Sequence, residues 1–469
     1  MRTALLLGPI TAAAISLALP SQGQAGSGMR FGEESTVRPT LSQADAEKLG
    51  TKALIERGRQ LFVAKFTVGD GAGRPGATGA IVPTRAANSD LPPFFRTAGA
   101  DSNACRGCHN DPVPGGAGDF VSNAFVSEGF SDADFDTVDP QFSNERGTPA
   151  LNGAGLVELL AREMTHELRA QRRRAAADAR ATGKSVAVDL TSKGISFGRL
   201  VIEADGYMDV SGLDGVDQDL LIRPFSQKGV FTSIRQFTIN ALNAHHGMQA
   251  VERFGERYTG TSDFDADGVA NELDAGDLTA LVAFQATLPA PAQVRPESAD
   301  NAALADEGRK LFDRVGCAAC HVPALPLESA TFTEPSPFNP AGNLRAADVI
   351  EPVRFQLDVS GLARDKHGRV LVPVYSDLKR HVIADGERPH FANELLSQRF
   401  VNRDEFLTAR LWGAGSTAPY GHRGDLTTLR EAIVNHGGGG GASRRAFEAL
   451  GETEQRKIVG FLQTLRIVE

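Results

Sequence analysis

Cysteine is scarce in this chain: 469 residues carry four, beside five methionines and a single tryptophan. That leaves too few thiols for two zinc sites built on thiolates alone. Long apolar runs are also missing. Beyond the N-terminal segment no stretch is apolar enough to cross a bilayer, so no stable membrane insertion is expected. Nor does one sign of charge dominate. Lys and Arg number 49 against 58 Asp and Glu, a net charge of −9 with the basic residues widely spread. That balance argues against a nucleic-acid partner. With 41% hydrophobic residues and a mean hydropathy of −0.20 the chain reads as soluble and globular, long enough for about two to three domains.

The four cysteines fall in two five-residue motifs, Cys105-Arg-Gly-Cys108-His109 and Cys317-Ala-Ala-Cys320-His321. Both read C-x-x-C-H, the attachment signature of c-type haem. In that chemistry the thiols form thioethers with the haem vinyl groups, and the adjacent His takes the iron as proximal ligand. Zinc knuckles and thioredoxin-like dithiols share the C-x-x-C pair. Zinc needs further thiol or imidazole ligands close by, and a redox dithiol has no use for the following His. The doubled motif, with no cysteine left over, favours two covalently bound haem c groups.

The N-terminus reads as a secretory signal peptide over residues 1–25. Arg2 supplies the positive start, residues 4–19 are apolar, and Gly23-Gln24-Ala25 puts small residues before a cut after Ala25. A membrane anchor is the alternative, but the apolar run is short and holds Pro9. Export suits covalent haem attachment, so a periplasmic location is expected.

The chain divides into similar parts. An amphipathic helix is expected at 280–288 and again at 457–465, each closing a cytochrome c-like unit over its motif. The Pro-rich stretch between them marks a linker. The expected organisation is an N-terminal lobe over 26–290, a linker over 291–300 and a C-terminal lobe over 301–469. Ala244-His245-His246-Gly247 echoes Val434-Asn435-His436-Gly437, just before each closing helix. The first lobe also carries a basic helical stretch at 162–180 and a β-rich stretch at 196–209. The fold class is therefore mainly α: two cytochrome c-like haem lobes, the first enlarged by a basic helix and a small β element. The basic run is read as a solvated helix face.

A haem iron has a sixth site, and its occupant separates electron transfer from catalysis. No methionine lies in the second lobe. His436, followed by glycines at 437–441 that let the backbone turn close to a porphyrin, is the candidate distal ligand of the second haem. By the repeat, His246 serves the first haem, with His245 beside it as acid or base. Met164 or Met248 is the alternative ligand there. His422 is a candidate to bond a propionate or orient His436. His381 is a weaker candidate of the same kind, with simple exposure as the alternative, and Trp412 reads as core packing or an electron relay.

The segment from Asp263 to Asp274 follows the D-x-D-x-D-G pattern of a calcium loop. Asp263, Asp265 and Asp267 supply carboxylates, Gly268 the sharp turn, and Val269 a backbone carbonyl. Asn271 and Asp274 fill the later positions. Calcium is the expected ion, and an acidic turn is the alternative.

Beyond the motifs, the chain resembles the bacterial di-haem cytochrome c peroxidase superfamily, nearest to the di-haem oxidoreductase branch also labelled thiol oxidoreductase. The residues that carry the likeness are both C-x-x-C-H motifs, Arg146-Gly-Thr-Pro-Ala-Leu-Asn-Gly-Ala-Gly155, Leu411-Trp-Gly-Ala-Gly-Ser-Thr-Ala-Pro-Tyr-Gly-His422 and Thr428-Leu-Arg-Glu-Ala-Ile-Val-Asn-His-Gly437. Arg223-Pro-Phe-Ser-Gln-Lys-Gly229 and Ser233-Ile-Arg-Gln-Phe237 extend it, over roughly residues 50–469.

The resemblance implies two haems close enough for electron exchange. One stores an electron and the other meets peroxide or a related oxidant. Electrons enter from a small periplasmic cytochrome or cupredoxin, and calcium sits near the lobe boundary. The family's second haem usually has a Met ligand; His436 in that place implies a lower potential. A catalytic carboxylate in the first lobe is also implied, with Glu163 the chosen candidate and Glu158 and Glu167 beside it. Two other functions stay open: a non-catalytic carrier with both haems His/His ligated, and an oxidase acting on a thiol or protein substrate.

Overall fold

The computed structural model describes residues 32, 34–73, 102–123, 145–394 and 398–468. The expected signal peptide lies outside the described residues. Among the described residues, eight α-helices of six residues or more carry the fold. They are α1 (Thr51–Val63), α2 (Ala154–Thr182), α3 (Ile234–Ala241), α4 (Ala275–Ala286), α5 (Ala299–Arg314), α6 (Leu429–Val434), α7 (Gly441–Glu448) and α8 (Glu452–Gln463). Among the described residues no helix is long and apolar enough to cross a membrane.

Two helix pairs repeat. Helix α1 crosses α4, and α5 crosses α8, each at a glycine. A Cβ on Gly58 would lie 1.9 Å from the Ala280 carbonyl oxygen, and one on Gly308 would lie 1.9 Å from that of Lys457. Any side chain there would push the helices apart, so glycine sets the crossing distance. One turn on, Phe62 meets Phe284 at 5.1 Å and Phe312 meets Phe461 at 5.5 Å, centroid to centroid. The expected closing helices at 280–288 and 457–465 are thus α4 and α8, displaced by a few residues toward the N-terminus.

The basic stretch is the middle of α2. Met164, Leu168, Ala175 and Ala179 are buried at helical spacing, while Arg173 and Arg174 face outward. The helix packs on a hairpin of β3 (Val186–Ser192) and β4 (Ile195–Ile202), turned by Lys193 and Gly194 at positive φ. Strands β1 (Gly118–Asn123) and β2 (Glu145–Thr148) pair beside the first motif, and β5 (Met208–Asp209) joins β4.

Two observations add to the expected organisation. The linker over 291–300 is built into the fold: β6 (Ala292–Gln293) pairs with Leu465–Arg466, and α5 begins at Ala299. The second half also holds short strands within a helix-rich, mainly α chain. Strands β7 (Leu325–Leu327), β8 (Thr331–Glu334), β9 (Val353–Gln356), β10 (Val370–Val372), β11 (Arg380–Val382) and β12 (Glu405–Leu407) form three two-stranded ladders, β7 with β10, β8 with β9 and β11 with β12. Strands this short show no usable alternation in sequence. The chain remains helix-rich.

One buried cluster runs through both halves, from Leu54 and Leu160 to Phe312, Phe461 and Leu465. A charged group crosses with it. Arg235 on α3 is fully buried and bonds Glu252 and Glu334, both at 2.8 Å. Arg162 on α2 bonds Glu158 at 2.5 Å and lies 3.9 Å from Glu334. Three carboxylates therefore share two guanidiniums. Burial, reinforced by Glu158, lifts Glu334 to about 7 against the pull of Arg235 and Arg162.

Candidate functional site

Each C-x-x-C-H motif forms one tight helical turn. His109 N–H bonds the Cys105 carbonyl and His321 N–H bonds the Cys317 carbonyl, both at 3.0 Å. Each His then faces the same phenylalanine of its helix pair. Phe62 lies 6.3 Å from His109 and Phe312 lies 6.4 Å from His321. Burial pushes both imidazoles down to about 4, with a neighbouring imidazole adding to it: His245 for His109 and His436 for His321. Both are neutral at pH 7, the form that ligates a metal. Burial also pushes the thiols up, Cys105 to about 12 and Cys317 to about 11, so neither is a thiolate nucleophile.

The second motif is the more completely arranged. His321 Nδ1 lies against the carbonyls of Tyr375 (3.2 Å) and Ala409 (3.1 Å). His436 Nδ1 lies 2.7 Å from the Ala432 carbonyl. Carbonyls accept, so each Nδ1 carries the proton and each Nε2 keeps its lone pair for an ion. The two rings are 6.5 Å apart, centroid to centroid. A metal–imidazole bond is ~2 Å, so one ion could bridge rings at this spacing. Helix α6 delivers His436 through a Thr428–Glu431 capping box, and Phe391 packs on its ring at 5.6 Å.

The first motif opens on a cleft of about 1060 Å³, counting the solvent at its mouth. Cys105, Cys108, His109, His245 and His246 line it with Phe62, Arg146, Gln227, Gln285 and Gln398. Here the two neighbouring imidazoles differ in their surroundings. His246 Nδ1 bonds the Ser102 carbonyl at 2.5 Å, and its Nε2 lies 3.7 Å from Cys105 Sγ. His246 therefore packs on the first thiol of the motif. Both His245 and His246 line the cleft, and His245 adds to the burial that holds His109 down. The cause is local: the segment after α3 ends in a π turn, Leu242–His246. A π turn takes one residue more than an α turn, and it turns the two neighbouring imidazoles to different surroundings.

Glu163 is displaced from its expected place beside the first haem. It pairs with Lys193 at 2.6 Å and accepts from the Glu328 N–H at 3.0 Å, anchoring α2 to the hairpin turn. Glu167 bonds Ser192, Glu158 belongs to the buried charge group, and none of the three lines the cleft. Nor does His422 orient His436. It bonds Asn393 (3.0 Å) and Glu394 (3.1 Å) and stacks on Phe406, with Phe391 touching both His422 and His436. Trp412 packs against Gly153, where a Cβ would lie 2.4 Å from its ring.

In the acidic loop Asp263, Asp265 and Asp267 bring carboxylate oxygens within 4.8 Å of one another. Asp263 is braced by the N–H groups of Asp267 (3.2 Å) and Gly268 (3.1 Å). Asp265 is 1% exposed, and among the described residues neither of its oxygens has a hydrogen-bond partner. A buried carboxylate left so is costly unless a cation completes it. Of the other expected ligands, Asp274 caps the N-terminus of α4, and Asn271 is exposed with φ +49. Glu272, buried beneath the loop and pushed well up by burial and by Asp265, is a neighbouring carboxylate that the spacing rule did not mark.

A second ligand-like group, Cys320 with Asp377 and His381, lies at the other motif. It omits Cys317, whereas a zinc knuckle uses both thiolates of a C-x-x-C pair. His381 is held 2.7 Å from Asp377. The missed sequence signal is Gly58-Arg-Gln-Leu-Phe62 against Gly308-Arg-Lys-Leu-Phe312, the same crossing glycine and motif-facing Phe in both halves.

Fold and site together define a helix-rich chain with two equivalent C-x-x-C-H units, one opening on a cleft and one faced by a second imidazole. No family model matches the chain, and no curated protein matches it. Among solved structures, Kuenenia stuttgartiensis hydrazine synthase aligns over 95% of this chain and 99% of its own, at 12% identity and a TM-score of 0.37. A MauG-like protein associated with microbial copper homeostasis aligns over 66% of this chain and 88% of its own, at 15% identity and a TM-score of 0.26. Likeness at this level carries no argument, and the case for the site rests on this chain's own geometry.

Proposed function

We propose that the chain is a periplasmic di-haem c-type oxidoreductase of peroxidase type. The observation that carries this reading is the repeated motif geometry with unequal far sides: a cleft at His109 and an imidazole at His321. When bound, the two haems supply electron storage and the reduction of a small oxidant such as peroxide. Cys105, Cys108, Cys317 and Cys320 tether them, and His109 and His321 ligate through Nε2. His436 caps the second site and closes it to exogenous ligands. His245, on the cleft, is placed to hold or give a proton to an oxidant. His246 fixes the motif through Ser102. Asp263, Asp265 and Asp267 hold a calcium ion against α4. A small cytochrome or cupredoxin delivers the electrons.

One observation favours a second reading. His245 is itself an imidazole, and if it ligates the first iron the protein is an electron carrier. Pyridine haemochrome titration should give two haems per chain. Absorption and EPR of the oxidised and half-reduced protein, with carbon monoxide and peroxide, then divide the readings. One haem that binds carbon monoxide and reacts with peroxide supports the enzyme. Two low-spin haems inert in every redox state support the carrier and sink the peroxidase reading.

A further inference from the structure

We propose that Arg410 takes a propionate carboxylate of the second haem and thereby raises the potential of that haem. This rests on the di-haem reading and assigns a charge that separates its two centres.

The two units hold their motif histidines in the same way. The Ala409 carbonyl accepts from His321 Nδ1 at 3.1 Å, and the Pro149 carbonyl acts on His109. Each carbonyl stands three residues before a matching run, Asn152-Gly-Ala-Gly155 in the first unit and Trp412-Gly-Ala-Gly415 in the second. The residue that follows the carbonyl is Ala150 in the first unit and Arg410 in the second. One position beside the motif histidine is thus apolar in one copy and cationic in the other. The backbone there is fixed on both sides. Thr408 N–H bonds the Lys379 carbonyl at 3.0 Å, and the Thr408 carbonyl accepts from Ser376 Oγ at 2.8 Å. Beyond Arg410 the turn of Leu411–Ser416 packs on α8, where a Cβ on Gly415 would lie 2.4 Å from the Gln463 carbonyl oxygen.

The charge of Arg410 is unanswered within the chain. The residue is half-buried, its Nη1 is closed to solvent, and among the described residues that atom has no hydrogen-bond partner. Burial alone acts on the guanidinium, pushing it down to about 10, with no carboxylate to offset it. Arg162, Arg235 and Arg444, buried elsewhere, each pair with a carboxylate. The acids of this unit are engaged or turned away. Asp377 is held by His381 at 2.7 Å and by the Lys379 N–H at 3.0 Å, and Asp313 faces solvent. Asp404 and Glu405, on the approach to the site, act on Lys228, and Glu405 also lies 3.6 Å from Arg380. A buried cation is costly until an anion completes it. A haem ligated by His321 brings two carboxylates into this unit, and a planar guanidinium meets a carboxylate through two parallel bonds. A positive charge beside the haem favours the ferrous form. Arg410 therefore offsets part of the lowering that the second imidazole, His436, brings, and suits this centre to storing an electron.

The test uses the full-length holoprotein, with haem counted first and the second haem identified as the one whose spectrum His436→Ala alters. Both haems should stay attached in Arg410→Gln, because the thioethers hold them. The midpoint of the second haem should fall by about tenfold in the reduction equilibrium, or about 59 mV for one electron. The resonance Raman propionate band of that haem should move, and the first haem should not change. Arg410→Lys keeps the charge and loses the fork, so it should hold the midpoint and still move the band. It carries the test alone should the Gln variant not fold. An unmoved band in a variant that keeps both haems overturns the proposal, and so do equal shifts at the two haems. A band that moves in Arg410→Gln with the midpoint unchanged overturns the claim on the potential. A wild-type chain that carries no haem overturns the di-haem reading itself.

Discussion

The buried group of Arg162, Arg235, Glu158, Glu252 and Glu334 makes a quantitative claim on stability. It holds three carboxylates and two guanidiniums, so one negative charge is in excess at high pH. Glu334 bears the excess: it is 1% exposed and its carboxyl stands at about 7 instead of the usual 4.5. A carboxyl raised on folding binds its proton more tightly in the folded chain than in the unfolded one. Its stabilising effect is therefore greatest below pH 4.5, declines as pH rises to 7, and is gone above that. At 1.36 kcal/mol per pH unit the full span is about 3 kcal/mol, of which roughly 2 kcal/mol falls between pH 5 and 8. Glu334→Gln removes the titration and leaves Arg235 its bond to Glu252. Urea unfolding followed by far-UV circular dichroism, at pH 5 and pH 8, measures the variant against wild type. The stability difference should move in favour of the variant by roughly 2 kcal/mol on going to pH 8. A difference identical at the two pH values refutes the reasoning, because Glu334 would then carry its charge throughout. Arg235→Met should do the reverse. It leaves three carboxylates to one guanidinium and should cost roughly 3–5 kcal/mol at pH 8.

Other perturbations test other parts. Calcium at a hundred times its dissociation constant should stabilise the chain by about 2.7 kcal/mol over the chelated protein. Asp265→Asn should abolish that gain in a thermal melt and leave the haem spectra unchanged; a retained gain would place the ion elsewhere. His436→Met should raise the potential of the second haem and His436→Ala should open it to carbon monoxide, both read in a spectroscopic redox titration. An unaltered second haem in either variant would remove His436 from the iron. Gly308→Ala puts a methyl group on the Lys457 carbonyl and should cost about 1–3 kcal/mol through overpacking. A neutral melt would mean that α5 and α8 are not held at this crossing.

The parts of the molecule legible in the sequence are those that local chemistry fixes. The motifs are contiguous, so Cys105 to His109 and Cys317 to His321 could be read directly. The closing helices have a strong apolar period, and α2 has its buried stripe. His436 could be found because a helix end and a run of glycines mark it. What was hidden depends on distance or on a single residue of register. Glu272 reaches the acidic loop by being buried under it, and nothing in the spacing of the loop announces that. Asp274 fits the last ligand position by count, yet the start of α4 claims it as a cap. Glu163 sits on the same helix as the buried Glu158, but a turn away it faces Lys193. Arg146 and Glu394 come from opposite halves of the chain, and only the folded contact brings them together. The ladders of the second half are three or four residues long, too short for alternation to show.

The π turn at Leu242–His246 has a consequence for how two copies of one unit come to differ. Duplicated sites begin as equals, and a substitution in one of them usually trades a side chain for a poorer one. Lengthening a single helical turn changes no side chain at all. It reassigns the ones already present, so that an imidazole in one copy faces another imidazole while its counterpart is turned aside to a serine carbonyl. A division of labour between two centres can thus be written in the backbone, by one extra residue in one place, while the packing of both helix pairs stays the same.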